Sequence, residues 1–354
     1  MVNKEAFFAL VRAGLWGKVN GNQNQNENLF EGLDWEGVQK LAEEQSVVGL
    51  VTAGIQNLGI QIPLVQKLKF AGQCQLIEER NVALNHFIGE MVAKMKDAGI
   101  STLLVKGQGL AHCYDKPLWR CSGDVDLFLE ETNYLNAKAF LLPLSSSHRP
   151  ERRYSKHQSM TIDSWSVEIH GTMRSGLSAR IDKEIDAVQK DTFESCRFRL
   201  WRNGDTDVLL SESNNDLFFV FTHFIGHFYK EKMKIRQLCD WCRLMWTYRG
   251  EVDSQLVEHR LQRAGLIKEW KTFAALAVDV LGMPTVAMPL YEDDVRWHKK
   301  GRKALEYILQ NCKPNKVKDT MAIARVFPKN TLCALPSIFL NVNRLKVKER
   351  LLGR

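Results

Sequence analysis

The stretch from Val105 to Glu130, VKGQGLAHCYDKPLWRCSGDVDLFLE, constrains this chain more than any other. It follows an apolar run from Ile100, passes a Lys-Gly-x-Gly turn, and ends in Asp124-Val125-Asp126 ahead of Leu127-Phe128-Leu129. Alternation from Asp124 to Leu129 reads as a strand with both carboxylates on one face. Two such acids repel each other unless positive charge is shared between them, and a divalent cation with oxygen ligands is the usual remedy. Gly107 and Gly109 let backbone N–H groups approach an anion, and a short helix from about Leu110 would point its positive end there. A phosphate cradle ahead of a carboxylate pair suits metal-assisted phosphoryl or nucleotidyl transfer.

Each part alone is weak; the order of the parts carries the reading. A second D-x-D, Asp205-Thr206-Asp207, follows Asn203-Gly204, a hairpin signal between RFRLW and VLL, so its acids read as solvated loop residues.

Taken together, Lys106-Gly107-Gln108-Gly109, the lead-in Arg120-Cys121-Ser122-Gly123 and Asp124-Val125-Asp126 resemble the nucleotidyltransferase superfamily typified by DNA polymerase β. More narrowly, they resemble the bacterial uncharacterised nucleotidyltransferase family, with its K-G-x-G and R-x-x-G-D-x-D pattern. The stretches DWEGVQKLAEEQSVVGL and IRQLCDWCRL extend that resemblance over roughly residues 5 to 290. It implies an α+β fold, a nucleotidyltransferase-like mixed β-sheet core flanked by N-terminal and C-terminal helical regions. It also implies a third acid on a later strand, for which Glu168 in Trp165-Ser-Val-Glu-Ile-His170 is the candidate. Asp124, Asp126 and Glu168 would then be catalytic and hold Mg²⁺ or Mn²⁺. Lys106, Gly107, Gln108, Gly109 and Arg120 would take the phosphates of an NTP, ATP first. Gln108 stands where Ser or Gly is usual, so a serine-like side-chain contact to phosphate is not implied. The acceptor stays open among a sugar phosphate, a small metabolite, a protein hydroxyl and an RNA end.

Three other readings compete. A glycosyltransferase also uses D-x-D, but needs a nucleotide-binding α/β domain well before it, where this chain has about a hundred residues of helical pattern. A degenerate member would bind a nucleotide or partner without turnover, with Gln108 its sole support. A toxin-like enzyme acting on tRNA or protein would suit a basic tail.

The net charge of +8 is unevenly placed: residues 296–354 hold 15 Lys/Arg against 3 acids, and the remainder is slightly acidic. That tail could contact nucleic acid, though a solvated terminus is the favoured reading. Hydrophobic content of 45% over 354 residues is enough for two or three globular domains. Met1 to Leu15 lacks a secretory pattern, and the most apolar window, Leu217 to Tyr229, is too short for a membrane span. A cytoplasmic location is therefore expected, with the eight cysteines reduced. Cys239-Asp-Trp-Cys242 has no second pair to complete a zinc site and reads as helix packing.

Along the chain, residues 1–98 read as helical, with helices over 6–16, 35–48 and 63–98 around a polar tract, Gly21 to Asn28. Leu64, Leu68, Leu76 and Val82 count among the expected packing positions of the longest helix. Residues 99–212 read as the α/β core, with strands over 100–106, 124–129, 153–162 and 165–170, helices over 109–115, 131–142 and 179–192, and a hairpin over 195–210. Lys156 and His157 read as edge-strand residues more than as phosphate contacts. Residues 213–290 read as helical again. His223 and His227 share a helical face, for packing or a substrate contact rather than metal, and Arg236 and Asp240 are spaced as a surface ion pair. Pro284 and Pro289 open an irregular stretch into a basic tail over 291–354.

Overall fold

A computed structural model describes residues 3–17, 27–151, 156–230, 233–310 and 316–335. Most of the Gly21–Asn28 tract, the start of the strand expected from Arg153, and residues 336–354 of the basic tail lie outside the described residues.

The sheet is organised by alternation. β1 (Leu103–Val105), β2 (Val125–Phe128), β3 (Ser147–His148), β4 (His157–Ile162), β5 (Trp165–His170), β6 (Phe198–Asn203) and β7 (Thr206–Ser211) form one mixed sheet, ordered β3-β4-β5-β2-β1-β7-β6. β5 pairs parallel with β2, β2 antiparallel with β1, and β1 parallel with β7. The Asn203-Gly204 turn joins β6 to β7, and Asp207 there pairs with Arg202 at the exposed tip, 3.0 Å away.

On one face, Leu104, Val125, Leu127, Met160, Val167, Ile169, Val208 and Leu210 pack against α4 (Leu64–Asp97) and α6 (Glu131–Leu141). On the other, Leu103, Val105 and Phe128 join a cluster built largely from α8 (Ser213–Lys230) and its neighbours, with Phe128 edge-on to Phe219 at 5.5 Å. Around α8 lie α5 (Gly107–Ala111), α7 (Ala179–Ser195), α9 (Ile235–Thr247), α10 (Ser254–Ala264) and α11 (Ile267–Leu281). The same cluster takes in α1 (Lys4–Trp16), α2 (Trp35–Glu44) and α3 (Val48–Leu58) from the N-terminal side.

Three expectations change. The helix expected over 35–48 ends at Glu44: Ser46 takes a left-handed φ of 57° and α3 starts at Val48, a break with no Gly or Pro to mark it. In α4, a helix about 50 Å long, Leu64, Leu68, Leu76 and Val82 are exposed, because the cluster it shares with the sheet takes only its residues from Leu84 to Met95. The basic tail, expected as a solvated and partly flexible terminus, is folded over part of its length, into α12 (Val295–Ile308) and α13 (Lys316–Val326). Asp294 caps α12, and Ala304, Tyr307 and Ile308 bury an apolar stripe that its basic outer face hides from a reading of charge.

Among the described residues, no helix is long and apolar enough to cross a membrane.

Candidate active site

Strand register brings the carboxylates together. Asp126 on β2 lies beside Glu168 on the parallel strand β5, so both side chains leave the same face of the sheet. Asp124 sits just before β2, and an oxygen from each of the three acids lies within 4.8 Å of the others. Asp126 is buried, Glu168 half-buried and Asp124 exposed, so the set opens to solvent at Asp124.

Period two places His170 on the same face as Glu168, and the antiparallel pairing of β4 with β5 sets His157 directly across from His170. The two imidazoles stack with centroids 4.7 Å apart and planes 3° apart. His157 Nε2 lies 2.9 Å from Glu168 Oε2, and His170 Nε2 lies 2.8 Å from Asp126 Oδ1. Lys106 Nζ donates to the same Asp126 oxygen at 2.8 Å. Among the described residues, β3 pairs with β4 only at Met160 and Thr161, so His157 stays at the open end of the strand, but its side chain is half-buried against Glu168 rather than exposed. Lys156 turns away to Glu131, 2.6 Å off.

These contacts set the charge. Burial pushes the Asp126 carboxyl up, but Lys106 and His170 outweigh it and hold the group well below the usual range. Asp124 is raised, first by the charge of Asp126 and then by burial. In Glu168, burial is outweighed by the hydrogen bond to His157, and the carboxyl is lowered. Three mutually repelling acids against one lysine make a face short of positive charge, and their hard oxygen donors fit a divalent cation.

Gly107 is required where it stands. Its φ is +37°, and a Cβ there would meet the Asp124 carbonyl oxygen at 3.3 Å. Lys106 itself takes φ 58°, ψ −147°, a backbone state L-residues rarely adopt, at the turn that aims it toward Asp126. The first hydrogen bond of α5 runs from Leu110 N–H to Lys106 C=O, so the N–H groups of Gly107, Gln108 and Gly109 precede the helical ladder.

Two side chains next to the motif are committed elsewhere: Gln108, of which no side-chain phosphate contact is expected, and Arg120, of which one is. The Gln108 side chain is buried and donates to Asn85 Oδ1 on α4 at 2.6 Å. Arg120 is buried, with Nε and Nη2 each 2.7 Å from a different Asp240 oxygen. Asp240 also accepts from Tyr114 at 2.7 Å, which overturns the expected surface pair of Arg236 and Asp240. Arg236 instead donates to the Cys121 carbonyl, and Asn81 on α4 donates to the carbonyls of Leu118 and Arg120. Arg120, Asp240, Arg236 and Asn81 thus clamp the segment that leads into Asp124. Cys239 and Cys242 are buried in α9, their thiols pushed up by burial, as packing residues.

From the helical side, His223 on α8 is a further neighbour. Burial, then Lys106 and His227, push its pKa well below the usual value, so its imidazole is neutral. His223 and His227 approach Nε2 to Nε2 at 3.0 Å. Sequence reasoning missed His170 and Asn81. His170 was within reach, since it stands two residues past Glu168, whereas Asn81 carries no local signal.

A family model described as uncharacterised nucleotidyltransferase matches residues 31–282. No curated protein and no solved structure matches the chain.

Proposed function

From the premise that the chain belongs to the uncharacterised nucleotidyltransferase family, we propose that it moves an NMP group from an NTP to an acceptor with release of pyrophosphate. The observation that carries this is the convergence of Asp124, Asp126 and Glu168 beside the Lys106–Gly109 turn. Asp124, Asp126 and Glu168 would hold divalent cations, Mg²⁺ or Mn²⁺, which would supply activation of the acceptor oxygen and neutralisation of the triphosphate and departing pyrophosphate. Glu168, the acid nearest His157, is placed to accept the acceptor's proton, directly or through water. Lys106, now on Asp126, would supply a point charge to a phosphate oxygen, and the N–H groups of Gly107 to Gly109 would hold the β/γ phosphates. Arg120 is a positioning residue, holding the lead-in to Asp124 against α9. ATP is the first donor to test, and the acceptor is a small molecule, a protein hydroxyl or an RNA end.

The test is calorimetric titration of the four NTPs with and without Mg²⁺, on the wild type and on Asp124→Ala/Asp126→Ala. Metal-dependent binding of at least one NTP, lost in the double variant, supports the transferase. No binding at millimolar NTP and Mg²⁺ sinks it.

A further inference from the structure

Beside the three carboxylates stands a second donor set of different chemistry. His157, Glu168 and His170 present one ligand atom each within 4.8 Å of one another, and all three are half-buried. Glu168 Oε2 lies 2.9 Å from His157 Nε2 and 3.8 Å from His170 Nε2. Two ligands that share one metal ion at about 2.1 Å each sit about 3–3.5 Å apart in octahedral or tetrahedral geometry. The observed separations bracket that edge.

Both imidazoles turn Nε2 toward carboxylate oxygens, His157 toward Glu168 and His170 toward Asp126. Imidazole nitrogens add little for Mg²⁺, which prefers all-oxygen shells, and favour Mn²⁺, Co²⁺ and above all Zn²⁺. We propose that His157, His170 and Glu168 form a cation position of their own, for a borderline divalent metal such as Co²⁺ or Zn²⁺. It adjoins the Mg²⁺-type carboxylate set and shares Glu168 with it. The inference builds on the metal reading of this face, but needs neither nucleotide nor turnover.

Cobalt(II) is the probe, because its visible ligand-field band shifts when imidazole nitrogens replace water. The full chain, stripped with chelator, binds one Co²⁺ with such a band. His157→Ala and His170→Ala each weaken that binding by about tenfold or more, and Asp124→Ala leaves it within about threefold. Zn²⁺ displaces the Co²⁺ and millimolar Mg²⁺ does not. Equal Co²⁺ affinity in wild type and the His157→Ala/His170→Ala variant overturns the proposal, as does a loss in Asp124→Ala as large as in the histidine variants. X-ray absorption of one equivalent of Zn²⁺ on the unmodified protein guards against misfolded variants: imidazole scattering is expected, and its absence from bound Zn²⁺ overturns the proposal. Failure of NTP binding with the Co²⁺ band intact counts against the transferase alone.

Discussion

Asp124 and Asp126 share a motif but not an environment, and their substitutions should separate stability from activity. Asp126 is 3% exposed and holds both Lys106 and His170, so Asp126→Asn removes the partner of a largely buried ammonium. Its melting temperature should fall by several degrees, as breaking a buried pair implies. Asp124 is exposed and repelled by Asp126, so Asp124→Asn relieves repulsion. Its melting temperature should stay level or rise by up to about 2 °C, while Mg²⁺-dependent turnover falls by more than about 100-fold. Thermal melts without metal, paired with nucleotide-incorporation assays, check both. A fall in stability for Asp124→Asn would show that the repulsion is compensated by a contact other than Lys106. The motif's acids were legible because period two is a local property of β2. Side-chain commitments were not, because a sequence shows Arg120 beside the motif and keeps silent about Asp240, 120 residues away.

At the scale of elements, Arg120 ties the lead-in of β2 to α9, and this gives the anchor reading its own test. Arg120→Ala leaves Asp240 buried without its guanidinium, a loss of about 3–5 kcal/mol. Arg120→Lys keeps a charge but not the two-point contact, and should recover only part of it. A phosphate ligand would behave otherwise: Arg120→Lys would raise KM for the NTP and leave the denaturation midpoint unmoved. Chemical denaturation alongside steady-state kinetics separates the two. A second element-scale joint is His298 on α12, whose ring lies 2.8 Å from Asp279 on α11 and 2.9 Å from Asp293. Its pKa is raised, first by the hydrogen bond to Asp279. The raised value belongs to the folded state, so the stabilisation is complete below about pH 6.5 and fades as pH climbs through the folded value. Between pH 6 and pH 9 the wild type should therefore lose about 1–2 °C of melting temperature that His298→Gln does not lose. Parallel scans at the two pH values measure it, and matching slopes would sink the assignment. The strands and most helices were readable from their own patterns. The break at Ser46 was not, because packing imposes its left-handed backbone on a residue that carries no turn signal.

Across the whole molecule, one hydrophobic cluster joins α1, the sheet face that carries the acids, α8 and the helices beyond the family match. The stretch matched to the family ends at residue 282, yet Tyr307 and Ile308 on α12 and Ile323 and Val326 on α13 belong to that cluster, as does Phe327. Phe327 lies 5.9 Å from Phe228 of α8, the helix that also carries His223. Basic composition hid this, because Lys and Arg dominate the outer face while the inward stripe is thin. Each large apolar side chain buried there stabilises by roughly 1.5–3 kcal/mol, and five of them together reach the range of a whole protein's stability, about 5–15 kcal/mol. A chain ending at Leu290 should therefore fail to fold or melt at least about 10 °C lower, although it retains the entire matched region and every acid of the site. Circular dichroism melts of the two lengths decide it. A truncated chain with the native melting temperature would mean that α12 and α13 rest on the fold without supporting α8, and the site would owe nothing to the basic end of the chain.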